Sequence, residues 1–206
     1  MADRVRIAVI DSGVFPGHPH VVTARLLPGV MIAADGSVVA GDEATLDRLG
    51  HGTAVTAAIQ ELAPDADIVP IRVFRDGLRA SALALTTAIV WAARSGAQVI
   101  NCSLGTTNAA HADMFARAVA AAGVAHIVAP ATGPDGAPCW PGQCPGVVAV
   151  GLDWDLPRGT VHLADGVHYA TGYPRPIPGV SARRNLHGVS FATAQVSGLF
   201  ATGRLT

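Results

Sequence analysis

The chain contains no lysine: all 14 of its basic residues are arginine. Mechanisms that need a lysine, whether as general base, Schiff-base former or phosphate-loop cation, are thereby excluded. Charge is sparse, at 14% of residues, and almost balanced at a net −1. That leaves no basic surface of the kind that nucleic acid or an anionic membrane attracts. No apolar run reaches the ~18–20 uninterrupted residues of a membrane span. The opening "MADRVRIAVID" runs directly into a strand-like stretch, without a basic and hydrophobic leader. Neither nucleic acid nor a membrane is expected as a partner, and a cytoplasmic location is the expectation.

Cysteine is scarce too, with three in the chain. Cys102 falls in an apolar run and reads as a small hydrophobe. Cys139 and Cys144 bound the loop "CWPGQC". They would bridge in an oxidising compartment, but free thiols are expected without an export leader. Two cysteines without further ligands are too few for zinc, and no metal or cofactor is expected.

What is present is apolar: half of the 206 residues are hydrophobic, enough to bury a core within a single domain over residues 1–206. Strand-like runs are expected at Arg4–Ile10, Asp67–Phe74, Ala97–Leu104, Val124–Ala131 and Gly146–Leu152. Helix-like segments are expected at His51–Ala63, Ser81–Arg94, Asp113–Ala122 and Val189 to about Ala201. Near-continuous apolar strands alternating with helices imply an α/β fold of three layers, with a mostly parallel central sheet and helices on both faces. Active sites of such sheets lie beyond the carboxyl ends of the strands.

Three residues occupy such positions. Asp11 follows the first strand, His51 opens a helix in "GHGTAVTAA", and Ser190 opens the last helix in "LHGVSFATAQVSGLF". Each has an ordinary reading: an Asx turn, a partly exposed helix-start histidine, and an N-cap. Together they hold the three roles of nucleophilic acyl transfer: an orienting carboxylate, a general base and a hydroxyl nucleophile. The order acid, His, Ser and the surrounding G-V-S-F-A do not fit the G-x-S-x-G elbow of an α/β-hydrolase.

With "IAVIDSGVFPGHP", "GHGTAVTAAI" and "GVSFATAQVSG" in this order, the chain resembles the subtilisin-like serine peptidases. "VINCSLGT" and "WPGQCPGVVAVG" resemble two further segments of that family, so the likeness runs from Ile7 to about Ala201. The resemblance implies a subtilisin-like fold and an endopeptidase acting on a peptide or protein substrate. Asp11 would orient, His51 would act as base and then acid, and Ser190 would attack. It also implies that Ser103, Leu104, Gly105 and Ala129, Pro130, Ala131 flank the substrate.

The chain departs from the family in several places. Thr132 stands where the resemblance places an oxyanion-hole Asn, with Ala131 in place of the preceding Gly and Pro130 in place of a small residue. Thr132 is either a hydroxyl donor or a turn residue. Ala194 stands where a Pro is usual, which should alter the first turns of the last helix. His20 replaces a calcium-ligating Asp, so no structural calcium is expected. His187 reads as a solvated loop residue. Lack of a leader and a propeptide points to an intracellular maturation protease acting on one precursor peptide. The rivals are a pseudo-peptidase that binds peptides or a partner without cutting, and an esterase or transacylase. The oligomeric state is not legible.

Overall fold

The computed structural model describes residues 4–41, 43–123 and 125–205. The chain forms, in order, β1 (Arg6–Asp11), β2 (Val30–Ile32), β3 (Val38–Ala40), α1 (His51–Leu62), β4 (Asp67–Arg72), α2 (Ala82–Arg94), β5 (Val99–Cys102), α3 (Ala112–Ala122), β6 (His126–Pro130), β7 (Val148–Leu152), β8 (His162–Ala164), β9 (Val167–Ala170) and α4 (Val189–Ala201). The strands make one nine-stranded sheet in the order β3-β2-β4-β1-β5-β6-β7-β9-β8. Every pairing is parallel except β2 with β3 and β8 with β9 at the two edges. The expected fold class is the observed one. Val124, expected to open the β6 strand, lies outside the described residues.

Strand periodicity divides the core in two. Ile7, Val9, Ile68, Val99 and Val128 face α1 and α4, whereas Ala8, Ile10, Val69, Ile100 and Ile127 face α2 and α3. Because both faces are covered, the interiors of the central strands are almost continuously apolar instead of alternating with polar residues, the buried Asn101 of β5 being an exception. α4 is buried continuously from Phe191 to Leu199, being wedged between α1 and the sheet, so even its polar Thr193, Gln195 and Ser197 are turned inward rather than to solvent. Each large side chain fully buried here, such as Phe191 or Phe115, contributes about 1.5–3 kcal/mol.

The helix starts use different devices. The Ser81 hydroxyl caps α2 by accepting from the Ala84 N–H at 3.0 Å. α4 has no side-chain cap: Gly188 stands at its N-cap position with φ 147°. Ser190 is therefore not a cap.

Candidate active site

Asp11 is the last residue of β1 and is fully buried. Its Oδ1 accepts from the Ser12 N–H at 2.7 Å and from His51 Nδ1 at 2.7 Å. Oδ2 is buried without a partner among the described residues. The carboxylate is therefore aimed across at α1, as a tautomer-fixing acid must be and an Asx turn is not.

The head of α1 is held tightly against β1. Gly52 donates to Ser12 Oγ at 2.8 Å, and a Cβ on Gly52 would lie 2.2 Å from the Gly13 carbonyl oxygen. Only glycine allows the helix so close, and that closeness sets the His51–Asp11 distance. Asp47 completes the clamp. Its Oδ1 accepts from the Leu49 and Gly50 amides at 2.8 and 2.9 Å, and its Oδ2 from the Thr53 N–H and hydroxyl at 2.9 and 2.6 Å. Thr53 Oγ1 in turn accepts from the Phe15 N–H at 3.0 Å. A carboxylate here satisfies otherwise orphaned helix-start donors and complements the helix dipole.

His51 is oriented by these contacts. With Nδ1–H donating to Asp11, Nε2 carries the free lone pair, and the ring packs on Phe191 with centroids 5.6 Å apart. Burial pulls its pKa down, but the Asp11 hydrogen bond and the charges of Asp11 and Asp47 outweigh it, leaving it above the ordinary 6.5. The helix-start position is thus no obstacle to protonation: two carboxylates offset the dipole.

Ser190 is the second residue of α4. Its hydroxyl donates to the Ser103 carbonyl at 3.0 Å, and among the described residues no hydrogen bond joins it to His51. Its backbone N–H, ahead of the first full helical turn, donates to no group among the described residues. Beneath it runs a buried chain: Ser103 Oγ donates to the Ser190 carbonyl (3.3 Å) and accepts from Asn101 Nδ2 (2.7 Å), and Asn101 Oδ1 accepts from Ser197 Oγ (3.0 Å). This chain ties the end of β5 to α4.

His51 and Ser190 share a cleft of about 420 Å³ with Ser103, Leu104, Gly105, Pro130 and Thr132. Phe74, Leu78 and Cys139 add to its wall. The expected flank is thus assembled except for Ala129 and Ala131. Ala129 is fully buried in β6 and Ala131 is buried beside it. The Ala131 backbone is already engaged, its N–H to the Val150 carbonyl and its own carbonyl to Cys139 N–H and Gln143 Nε2. Neither residue lines the cleft, because β6 continues to pair with β7 to its end.

Thr132, just past β6, is exposed in the cleft and its hydroxyl has no hydrogen-bond partner among the described residues. Ala194, where the resemblance places a Pro, is buried inside an unbroken helix. His187 is exposed, with Nδ1 3.0 Å from the Asn185 carbonyl oxygen. All three cysteines are free and buried. Burial pushes the Cys102 thiol up to about 12 and the Cys139 thiol up to about 11. Cys139 therefore does not compete as a nucleophile near neutral pH. Among the described residues no group of three or more His, Cys, Asp or Glu side chains could hold a metal ion. No helix of the described residues is long and apolar enough to cross a membrane.

Asp47, Asn101 and Ser197 were not anticipated as parts of the site. Asp47 left a readable signal, an acid just ahead of a helix start. The other two did not, since their link joins residues 96 positions apart.

Comparison with known proteins agrees with this geometry. A profile of the Subtilase family matches residues 2–153. The chain belongs to the subtilase family. The profile match includes Asp11 and His51 and stops before Ser190, but similarity to individual subtilases continues along the chain. M-protease of Shouchella clausii (strain KSM-K16) is 27% identical over 216 residues, covering 96% of this chain and 53% of M-protease. The chain spans about half the length of M-protease and of the alkaline proteases of Alkalihalobacillus alcalophilus and Shouchella clausii. Among solved structures, the prenylagaramide maturation protease PagA gives a TM-score of 0.69 at 26% identity, covering 96% of this chain and 73% of PagA. The epidermin leader peptide processing serine protease (EpiP) from Staphylococcus aureus gives 0.71 at 22% identity, covering 96% of this chain and 64% of EpiP, and shares the fold.

Proposed function

We propose that this subtilase is a serine endopeptidase whose nucleophile is Ser190, with His51 as base and Asp11 as its orienting acid. The observation that carries this is the buried 2.7 Å Asp11–His51 bond, made by the one ring nitrogen that leaves Nε2 available in the cleft of Ser190. In the reaction the Ser190 hydroxyl leaves the Ser103 carbonyl, turns to His51 and gives its proton to Nε2 as Oγ bonds to the substrate carbonyl carbon. The oxyanion that forms is met by the free Ser190 N–H and the unpartnered Thr132 hydroxyl. His51 returns the proton to the departing nitrogen as the C–N bond breaks. Water then hydrolyses the acyl-enzyme by the same route.

We further propose that the substrate is a precursor peptide. What supports this is the likeness to PagA, a maturation protease, together with a cleft walled by Phe74, Leu78 and Leu104, which favours apolar side chains. Incubation with a diverse peptide mixture, read by mass spectrometry, tests both levels. Cleavage confined to a narrow sequence motif and abolished in Ser190→Ala is expected. Cleavage that survives in Ser190→Ala sinks the mechanism, and broad cleavage sinks the precursor assignment. A peptide-binding module without turnover is the second reading. It is favoured by the Ser190 hydroxyl being held by Ser103 instead of His51, and Ser190-dependent turnover of any peptide removes it.

A further inference from the structure

A second cleft, of about 340 Å³, adjoins the first. The two share no lining residue, yet they meet along the chain: Gly50 lines the second and His51 the first, and Leu186 lines the second four positions before Ser190 lines the first. A peptide with its acyl half beside Ser103–Gly105 and its carbonyl at Ser190 continues past His51, which protonates the leaving nitrogen. Gly50 and Leu186, next to His51 and near Ser190 in the chain, line this second cleft.

The chemistry of the second cleft differs from that of the first. Phe15, Ile177 and Leu186, exposed by 49%, 40% and 45%, turn apolar side chains to it. Arg48 and Arg175 bring positive charge, and among the described residues neither has a carboxylate within 4.0 Å. Arg175 is half-buried and steadied by an Nη1 contact to the His20 carbonyl at 3.2 Å. The Asp47 carboxylate also borders the cleft, but its oxygens are occupied by the four bonds that fasten α1. His20 adds no charge near neutral pH, since burial, then Arg175 and His18, hold its pKa below 6.5. The loop from Arg175 to Leu186 carries Arg183 and Arg184 as well, and no acid.

We propose that this cleft holds the substrate on the C-terminal side of the scissile bond and selects there an Asp or Glu side chain flanked by apolar ones, a specificity that presupposes the peptidase reading above. Long apolar side chains would lie on Phe15, Ile177 and Leu186 while the carboxylate meets Arg175 and Arg48. Ion pairing at a partly exposed site gives modest affinity but effective discrimination against a cation of the same length.

Acyl transfer isolates this side of the site. The protein is acylated with p-nitrophenyl acetate, and the acyl-enzyme partitions between water and Ala-Leu-Glu, Ala-Leu-Gln or Ala-Leu-Lys amide. The expected order of capture is Glu over Gln over Lys, with Glu ahead of Gln by about fivefold, the upper range for a partly exposed ion pair. The advantage should shrink at roughly 1 M salt, and in Arg175→Gln and Arg48→Gln measured separately. Each ratio is internal to one preparation, so loss of folded protein cancels. Equal capture of the Glu and Gln peptides, or a Glu preference unchanged by salt and by both substitutions, overturns the assignment of the cleft alone. Ester hydrolysis unaffected by Ser190→Ala, or its absence in the intact protein, overturns the peptidase reading and this inference with it.

Discussion

Asp47 does two jobs at once, and both are visible in its bonds. It fastens the first turn of α1, and its charge helps hold the His51 pKa above 6.5. Since the base must be neutral to act, kcat/KM should rise with pH along a limb set by that raised pKa. Asp47→Asn removes one raising influence, so the limb should move to lower pH, and stability should fall by about 1–2 kcal/mol as a charged cap is lost. A pH–rate profile and a thermal melt check the pair; an unmoved limb contradicts the electrostatic role. Thr132→Val tests the oxyanion assignment. It keeps the shape of an exposed side chain and removes its hydroxyl, so kcat should fall by about tenfold or more with KM little changed. An unchanged kcat would make Thr132 a turn residue. At this scale Asp11, His51 and Ser190 stood out as candidates because each sits where the chain changes from strand to loop or from loop to helix. Asn101 and Ser197 were not, because a buried hydrogen bond between distant residues leaves no local pattern. Nor did the sequence reveal that the Ser190 hydroxyl turns to Ser103, since a rotamer is chosen by neighbours that only the fold supplies.

Elements set the distances that the residues use. α1 can bring His51 to Asp11 only because Gly52 lets its first turn lie against the Gly13 backbone. Gly52→Ala should therefore push the helix head away. The melting temperature should drop, by the ~1–3 kcal/mol typical of overpacking, and peptidase activity should fall further than the folded fraction does. Circular dichroism with activity per folded molecule separates the two, and full specific activity in the alanine variant contradicts the clamp. The helices and central strands were legible to within a few residues, as near-continuous apolar runs alternating with helix-like segments. The edge hairpins β2–β3 and β8–β9 were not read, because strands of three or four residues carry too little pattern. A signal existed: Asp165-Gly166, with φ of 50° and 75°, makes the β8–β9 turn, and Asp-Gly between short apolar runs is a hairpin signature. At Ala194, where the family resemblance places a Pro, α4 runs as an unbroken helix.

The whole molecule is a covered sheet with exposed, short-stranded edges. The proposed catalytic residues come from β1, α1 and α4, with β5 supporting α4, and these elements lie at its centre. Local opening should follow that layout, with free energies falling from centre to edge. In native-state hydrogen exchange the amides of β1, β4 and β5 should be the slowest, and those of β3 and β8 should exchange well before them. Uniform protection across all nine strands would contradict this. The fold class was legible because continuous apolar strands between helices admit few arrangements. Position along the sheet was not, since strand order depends on crossovers that no single segment records.

The central claim is that Ser190 is a nucleophile made reactive by His51 held against Asp11, and a fluorophosphonate probe reads it directly. The intact protein should gain one covalent adduct, mapped by peptide mass analysis to Ser190. Labelling should vanish in Ser190→Ala and slow by orders of magnitude in His51→Ala, following the free base from low to high pH. Equal labelling of the intact protein and Ser190→Ala, or an adduct on another residue, would contradict the account.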